Sequence, residues 1–169
     1  MDQELVERAR TLLDLCRTKG LTIAAAESCT GGLLAATLTE VAGSSDVFER
    51  GFVTYSNEAK QAMVGVTSAT LASHGAVSRE TAEAMASGTL AHAPVDLAVS
   101  ITGIAGPGGA VPGKPVGLVH FAAASRAGRL IARERNYGDI GRKQVRRASV
   151  IEALAMLHDL ATTEAASSG

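Results

Sequence analysis

A carboxylate, a hydroxyl, a thiol and a second hydroxyl stand in a row at Glu27-Ser28-Cys29-Thr30, just past the apolar run Ala24-Ala25-Ala26 and just before Gly31-Gly32. A serine at a turn from strand to helix is exposed at a sheet edge. Neighbouring N–H groups there can hold an oxyanion, and the helix dipole favours negative charge. Ser28 is therefore a candidate nucleophile, and Gly31 and Gly32 let another backbone or a ligand approach closely. A plain helix cap at Ser28 or Thr30 fits the same residues. The glycines are not followed by Lys-Ser/Thr, so this is not a Walker loop, and the serine is not in a Gly-x-Ser-x-Gly elbow. Cys29 is the rival nucleophile, because a helix N-terminus lowers a thiol pKa. Such a thiol needs a histidine base, and His74, His92, His120 and His158 stand in no recognisable motif.

Lysine is the next candidate base. Lys60 is the only lysine between Lys19 and Lys114, and it closes the run Tyr55-Ser56-Asn57-Glu58-Ala59-Lys60. A neutral lysine with its pKa depressed by burial can activate a serine hydroxyl, and a nearby phenol can relay the proton. A solvated lysine on a short helix is the alternative. Two further stretches offer ligand contacts. Ser100 to Pro115 is rich in glycine and carries Thr102 and Gly103 where a strand should end; it can wrap a nucleotide or serve only as a connector. Arg142 and Arg146 share one face of a final helix at i, i+4 spacing, where two guanidiniums suit a phosphate, or pair with surface acids.

The elements that must position these residues follow from periodicity. Leu5, Ala9, Leu12, Leu13 and Cys16 recur at helical spacing over residues 3–18, with Gly20 as the stop. Residues 21–26 form a buried strand, a helix runs from Leu33 to Val41, and a polar turn follows at Gly43-Ser44-Ser45-Asp46. A strand over 48–55 leads to a helix capped by Ser56 or Asn57 and ending at Val64. Thr67 or Ser68 caps a short helix stopped at Gly75, and Ser78 caps an amphipathic one reaching Leu90. Strands are expected over 96–101, 116–124 and 130–137, and a last helix over 144–160. Helices alternating with about five strands, the last two antiparallel, predict a three-layer α/β/α sandwich on a mixed sheet. A single domain spans residues 1–163, with a small polar tail over 164–169 that should fray.

Composition narrows the class. The 169 residues are 46% hydrophobic and 20% charged with a net charge of -1, an ordinary globular balance with no overall attraction to nucleic acid or to membranes. Aromatics are only 3% with no Trp, so the core is built from Ala, Val, Leu and Ile. Cys16 and Cys29 match no metal or redox spacing. No signal-peptide pattern and no bilayer-spanning apolar run is found, so the expected compartment is the cytoplasm.

Taken together and in order, these motifs resemble the C-terminal domain of the competence/damage-inducible protein CinA and its stand-alone relatives, the nicotinamide-nucleotide amidohydrolases. The resemblance rests on Ala26–Gly32, Ala42-Gly43-Ser44-Ser45, Phe48–Lys60, Gly75–Ser78, Gly103–Pro107 and Lys114–Gly117. It implies hydrolysis of the carboxamide of nicotinamide mononucleotide to nicotinate mononucleotide and ammonia, with Ser28 as nucleophile, Lys60 as base and Tyr55 assisting. Thr30, Gly31, Gly32, Asn57, Thr102, Gly103 and Arg142 are the substrate-binding residues this implies, with Arg146 as the alternative arginine. It implies no metal and no organic cofactor, and a small pyridine nucleotide as the only ligand; separately, the small, Ala-rich helices point to self-association into a homo-oligomer. The competing expectation is a nucleotide-binding regulatory module that uses the same loops without turnover.

Overall fold

The structure is a computed structural model and describes residues 1–166. Helix α1 (Gln3–Lys19) is fixed at both ends by local chemistry. The Asp2 carboxylate accepts from the N–H groups of Glu4 and Leu5, and Gly20 closes the helix in the left-handed conformation at φ 69°. Then follow β1 (Ile23–Glu27), α2 (Leu33–Thr39), a single 3-10 turn at Ser44–Asp46, and β2 (Phe48–Val53). α3 (Asn57–Val64), α4 (Ser68–His74) and α5 (Arg79–His92) precede β3 (Leu97–Gly103), β4 (Leu118–Ser125), β5 (Leu130–Asn136) and α6 (Arg142–Thr163).

The five strands lie in the order β2-β1-β3-β4-β5. β2, β1 and β3 run parallel, and β4 and β5 are antiparallel additions, so the sheet is mixed. Residues alternate across it as a period of two requires. Ile23 and Ala25 of β1, Leu97, Val99 and Ile101 of β3, and Val119 and Phe121 of β4 share one core with α1, α2 and α6. The opposite face carries small residues. Ala122 and Ala124 meet Ala82 and Ala86 of α5, and Ala26 meets Val64 and Met85. Small side chains let α5 come close enough for the Ser100 hydroxyl to donate to the Ala82 carbonyl at 2.6 Å. This is the three-layer α/β/α sandwich that the alternation of elements predicts.

Several boundaries differ from expectation: α2 ends at Thr39, β2 ends at Val53 and β4 begins at Leu118. β3 continues through Thr102 and Gly103, and α6 begins at Arg142 instead of Gln144. α6 also runs on through Thr162 and Thr163, because the Lys19 ammonium donates to the carbonyls of Ala161, Thr162 and Glu164 and so satisfies the end of the helix. Of the tail expected to fray, residues 167–169 lie outside the described residues. No helix among the described residues is long and apolar enough to cross a membrane.

Candidate active site

Ser28 is the first residue past β1. Its N–H donates to the Ile101 carbonyl at 2.9 Å, which carries the pairing of β1 with β3 one step further. The chain then reverses. Gly31 N–H donates to the Ser28 carbonyl and Leu33 N–H to the Thr30 carbonyl, and Gly31 and Gly32 take φ values of 56° and 102° that side-chain-bearing residues rarely adopt. The N-cap of α2 is Gly32, without a side-chain cap, so neither Ser28 nor Thr30 caps the helix. Instead the Glu27 carboxylate reaches across the turn and accepts from Leu34 N–H at 2.8 Å and Ala35 N–H at 3.0 Å. The positive end of α2 is thus neutralised from within the chain, which corrects the expectation that it points at a ligand. Ser28 is left with its hydroxyl unengaged by the turn.

Lys60 meets that hydroxyl from the other side. Ser56 caps α3 by accepting from Ala59 N–H, which sets Lys60 on the first turn of the helix, facing the sheet. The side chain is only 1% exposed. Its Nζ lies 3.0 Å from Ser28 Oγ, 2.9 Å from the Thr54 carbonyl and 3.3 Å from the Tyr55 carbonyl. Burial pushes the amine below its ordinary pKa of 10.5. Among the described residues no carboxylate forms an ion pair with it.

The pair opens into a cleft of about 300 Å³. Tyr55, Asn57, Thr102, Gly103 and Arg142 line it with Ser28 and Lys60, as do Ala76 and Val77 from the α4–α5 corner and the loop from Ile104 to Gly109. Thr30, Gly31 and Gly32 lie behind Ser28 and do not line the cleft; Thr30 is fully buried, and its hydroxyl has no hydrogen-bond partner among the described residues. Gly31 N–H is taken by Ser28, while the N–H groups of Cys29, Thr30 and Gly32 donate to no acceptor among the described residues. Tyr55 gives its carbonyl to Lys60, and its phenol, with the residue 60% exposed, accepts from Arg142 at 2.9 Å. The phenol makes no hydrogen bond to Ser28 or Lys60.

The two arginines separate. Arg142 spans the cleft, donating to the Gly106 carbonyl at 2.9 Å as well as to Tyr55. Arg146, one turn on, donates to the Thr30 carbonyl at 3.0 Å and braces the turn after Ser28 from behind. No histidine among the described residues lines the cleft. The Cys29 thiol is 6% exposed and burial pushes it up to about 12, so the low-pKa thiol expected at a helix N-terminus does not form. Among the described residues no group of three or more His, Cys, Asp or Glu side chains is placed to hold a metal ion. Sequence reading overlooked the walls at Ala76 and Val77 and the work of Glu27. The hydroxyls at Ser78 and Thr81, which follow Ala76 and Val77, were the available signal for the first.

Fold and site together define an α/β protein with a buried serine–lysine pair at the carboxyl end of its parallel strands. Comparison makes the assignment specific. Residues 6–161 match the family model for the CinA C-terminal domain, and the chain belongs to that family. It is 50% identical over 157 residues to the nicotinamide-nucleotide amidohydrolase PncC of Escherichia coli, covering 92% of this chain and 94% of the relative. A CinA-like protein of Geobacter sulfurreducens is 51% identical over 143 residues, which are 85% of this chain and 34% of that longer protein. The crystal structure of the competence/damage inducible protein CihA from Agrobacterium tumefaciens matches the fold with a TM-score of 0.93 at 51% identity, over 95% of this chain and 97% of that one.

Proposed function

We propose that this protein is a nicotinamide-nucleotide amidohydrolase that converts nicotinamide mononucleotide to nicotinate mononucleotide and ammonia by a serine–lysine mechanism. The observation that carries the mechanism is the 3.0 Å approach of Lys60 Nζ to Ser28 Oγ. Two of the three neighbours of Nζ are carbonyl oxygens, which can only accept. A neutral amine has two N–H groups and one lone pair. Its two N–H groups go to Thr54 and Tyr55, and the lone pair is left for the Ser28 proton. The same burial that lowers the pKa of the amine favours this neutral form.

As Ser28 Oγ attacks the carboxamide carbon, its proton passes to Nζ and negative charge gathers on the amide oxygen. The N–H group directly after the nucleophile, at Cys29, which lines the cleft, is the candidate for stabilising that charge. Nζ then gives the proton to the departing nitrogen, the C–N bond breaks and ammonia leaves. Water attacks the resulting ester, Lys60 takes its proton, and return of that proton to Oγ frees the acid and restores Ser28.

The test is ammonia release from nicotinamide mononucleotide. The wild type should be active, Ser28→Ala and Lys60→Ala should each lose at least about 10³-fold in kcat, and Cys29→Ala should retain activity. Full activity in Ser28→Ala removes the mechanism. Thermal stabilisation by the nucleotide with no ammonia from the wild type assigns the cleft to binding alone.

A further inference from the structure

Thr102 stands beside the nucleophile for a reason of register. Glu27 of β1 pairs with Ile101 of β3, so the next position of each parallel strand holds Ser28 and Thr102, on the same face of the sheet and one strand spacing apart. Both line the cleft. Lys60 approaches Ser28 from the β2 side, and Thr102 flanks it from the β3 side.

The Thr102 hydroxyl has a fixed polarity. Its Oγ1 lies 2.7 Å from the Ala76 carbonyl, and a carbonyl can only accept, so the single hydroxyl proton is committed there. The acceptor is itself held in place. The carbonyls of three consecutive residues at this corner are each taken by a side chain: His74 by the Lys114 ammonium at 2.7 Å, Gly75 by the Ser78 and Thr81 hydroxyls, and Ala76 by Thr102. Thr102 therefore presents only lone pairs to anything else in the cleft. It is unsuited to donate to an oxyanion, and it is suited to accept an N–H.

We propose that Thr102 is the residue that distinguishes amide from acid: with its proton locked on Ala76, it accepts an N–H of the substrate carboxamide beside Ser28. This rests on the amidohydrolase reading above. The substrate's –NH2 supplies the donor that Thr102 needs. The product carboxylate supplies none and faces lone pair against lone pair, unless the hydroxyl turns and strands the Ala76 carbonyl without a donor, a costly exchange. The cleft thereby holds the amide and rejects the acid once nitrogen has left, which limits inhibition by product. The proton traffic stays with Lys60, since Thr102 has no proton to give.

Binding measured by calorimetry on the Ser28→Ala protein, which leaves the amide intact, tests this with nicotinamide mononucleotide and nicotinate mononucleotide as the two probes. The amide is expected to bind about 10-fold or more tighter than the acid. Adding Thr102→Val, which keeps the shape and removes the hydroxyl, should bring the two affinities within about threefold, and Thr102→Ser should restore the gap. A repacked corner would weaken both ligands alike, so the ratio isolates the hydroxyl. An unchanged ratio in Thr102→Val, or no recovery in Thr102→Ser, overturns the assignment and leaves the amidohydrolase reading standing. If the Ser28→Ala protein binds neither nucleotide and the wild type releases no ammonia, the activity itself is misassigned and this role falls with it.

Discussion

Lys60 Nζ and Ser28 Oγ are 3.0 Å apart although 32 positions separate them in the chain, and among the described residues no carboxylate is paired to the buried lysine. Burial favours the neutral amine, so the fraction of enzyme able to accept the serine proton grows as pH rises. The value of kcat/KM for ammonia release should climb with pH along a limb whose midpoint lies below 10.5. Lys60→Arg, which stays protonated throughout this range, should be inactive at every pH. A pH–rate profile flat across this range argues against Lys60 as base.

The same shift has a consequence for stability. The folded-state pKa of Lys60 is depressed, so between that value and 10.5 the unfolded chain binds the extra proton. Stability from this group therefore rises with pH across the window, and below it the full cost of a buried ammonium is present. Lys60→Met removes the titration. The melting temperature of Lys60→Met minus that of the wild type should become steadily smaller as pH is raised towards 10.5, and thermal scans at several pH values read it directly.

Much of this arrangement was legible in the chain because its signals are local. Ser56 and Ser78 each sit three residues before the N–H they cap, and Gly20, Gly65 and Gly75 follow directly the helices they stop. The contents of the site were legible through residue chemistry and family resemblance, since a serine, a lysine and glycine-flanked turns recur in a set order. What could not be read depends on where separate elements meet. Arg142 and Arg146 share a helix face at i, i+4 spacing, and only the placement of α6 over the β1 turn sends one to the cleft and the other to Thr30. Glu27 looked like part of the reactive cluster because its partners, at positions 34 and 35, lie beyond a turn whose shape two left-handed glycines decide. The antiparallel entry of β4 was hidden for a similar reason: the segment between β3 and β4 carries no helix to mark or deny a parallel crossover.

Glu27 should matter to turn geometry through charge as well as hydrogen bonding. Glu27→Gln keeps one acceptor but loses the anion at the start of α2, and should cost about 1 kcal/mol of stability. Because Ser28, the proposed nucleophile, is the next residue, kcat should fall more than KM rises. Urea unfolding alongside ammonia kinetics checks both, and a variant with unchanged stability and kcat removes Glu27 from this role.

Gly88 fixes the distance between α5 and α3. A Cβ built there would lie 1.8 Å from the Val64 carbonyl oxygen and 2.9 Å from its carbon, both backbone atoms that cannot swing aside. Gly88→Ala must push the end of α3 away from α5, and Lys60 sits one turn earlier on α3. The expected result is a stability loss of about 3 kcal/mol, with kcat reduced because the Lys60–Ser28 distance is set by the same helix. A fully stable and fully active Gly88→Ala protein would show that α3 is free to shift without cost to the pair.

Arg142 and Arg146 should separate kinetically as they do spatially. Arg142 lines the cleft and, among the described residues, is held by the Gly106 carbonyl and the Tyr55 phenol, weak partners for a guanidinium that an incoming phosphate can replace with charge-assisted bonds. Arg142→Ala should raise KM for nicotinamide mononucleotide about 10-fold or more while kcat changes less. It should have little effect on nicotinamide riboside, which lacks the phosphate. Arg146 instead secures the carbonyl of Thr30, two residues past Ser28. Arg146→Ala should lower kcat for the nucleotide and the nucleoside alike and leave KM nearly unchanged, since the damage is to the position of Ser28. Equal losses on both substrates in the Arg142 variant would place the phosphate elsewhere in the cleft. A pure KM effect in the Arg146 variant would move that arginine from the turn to the ligand.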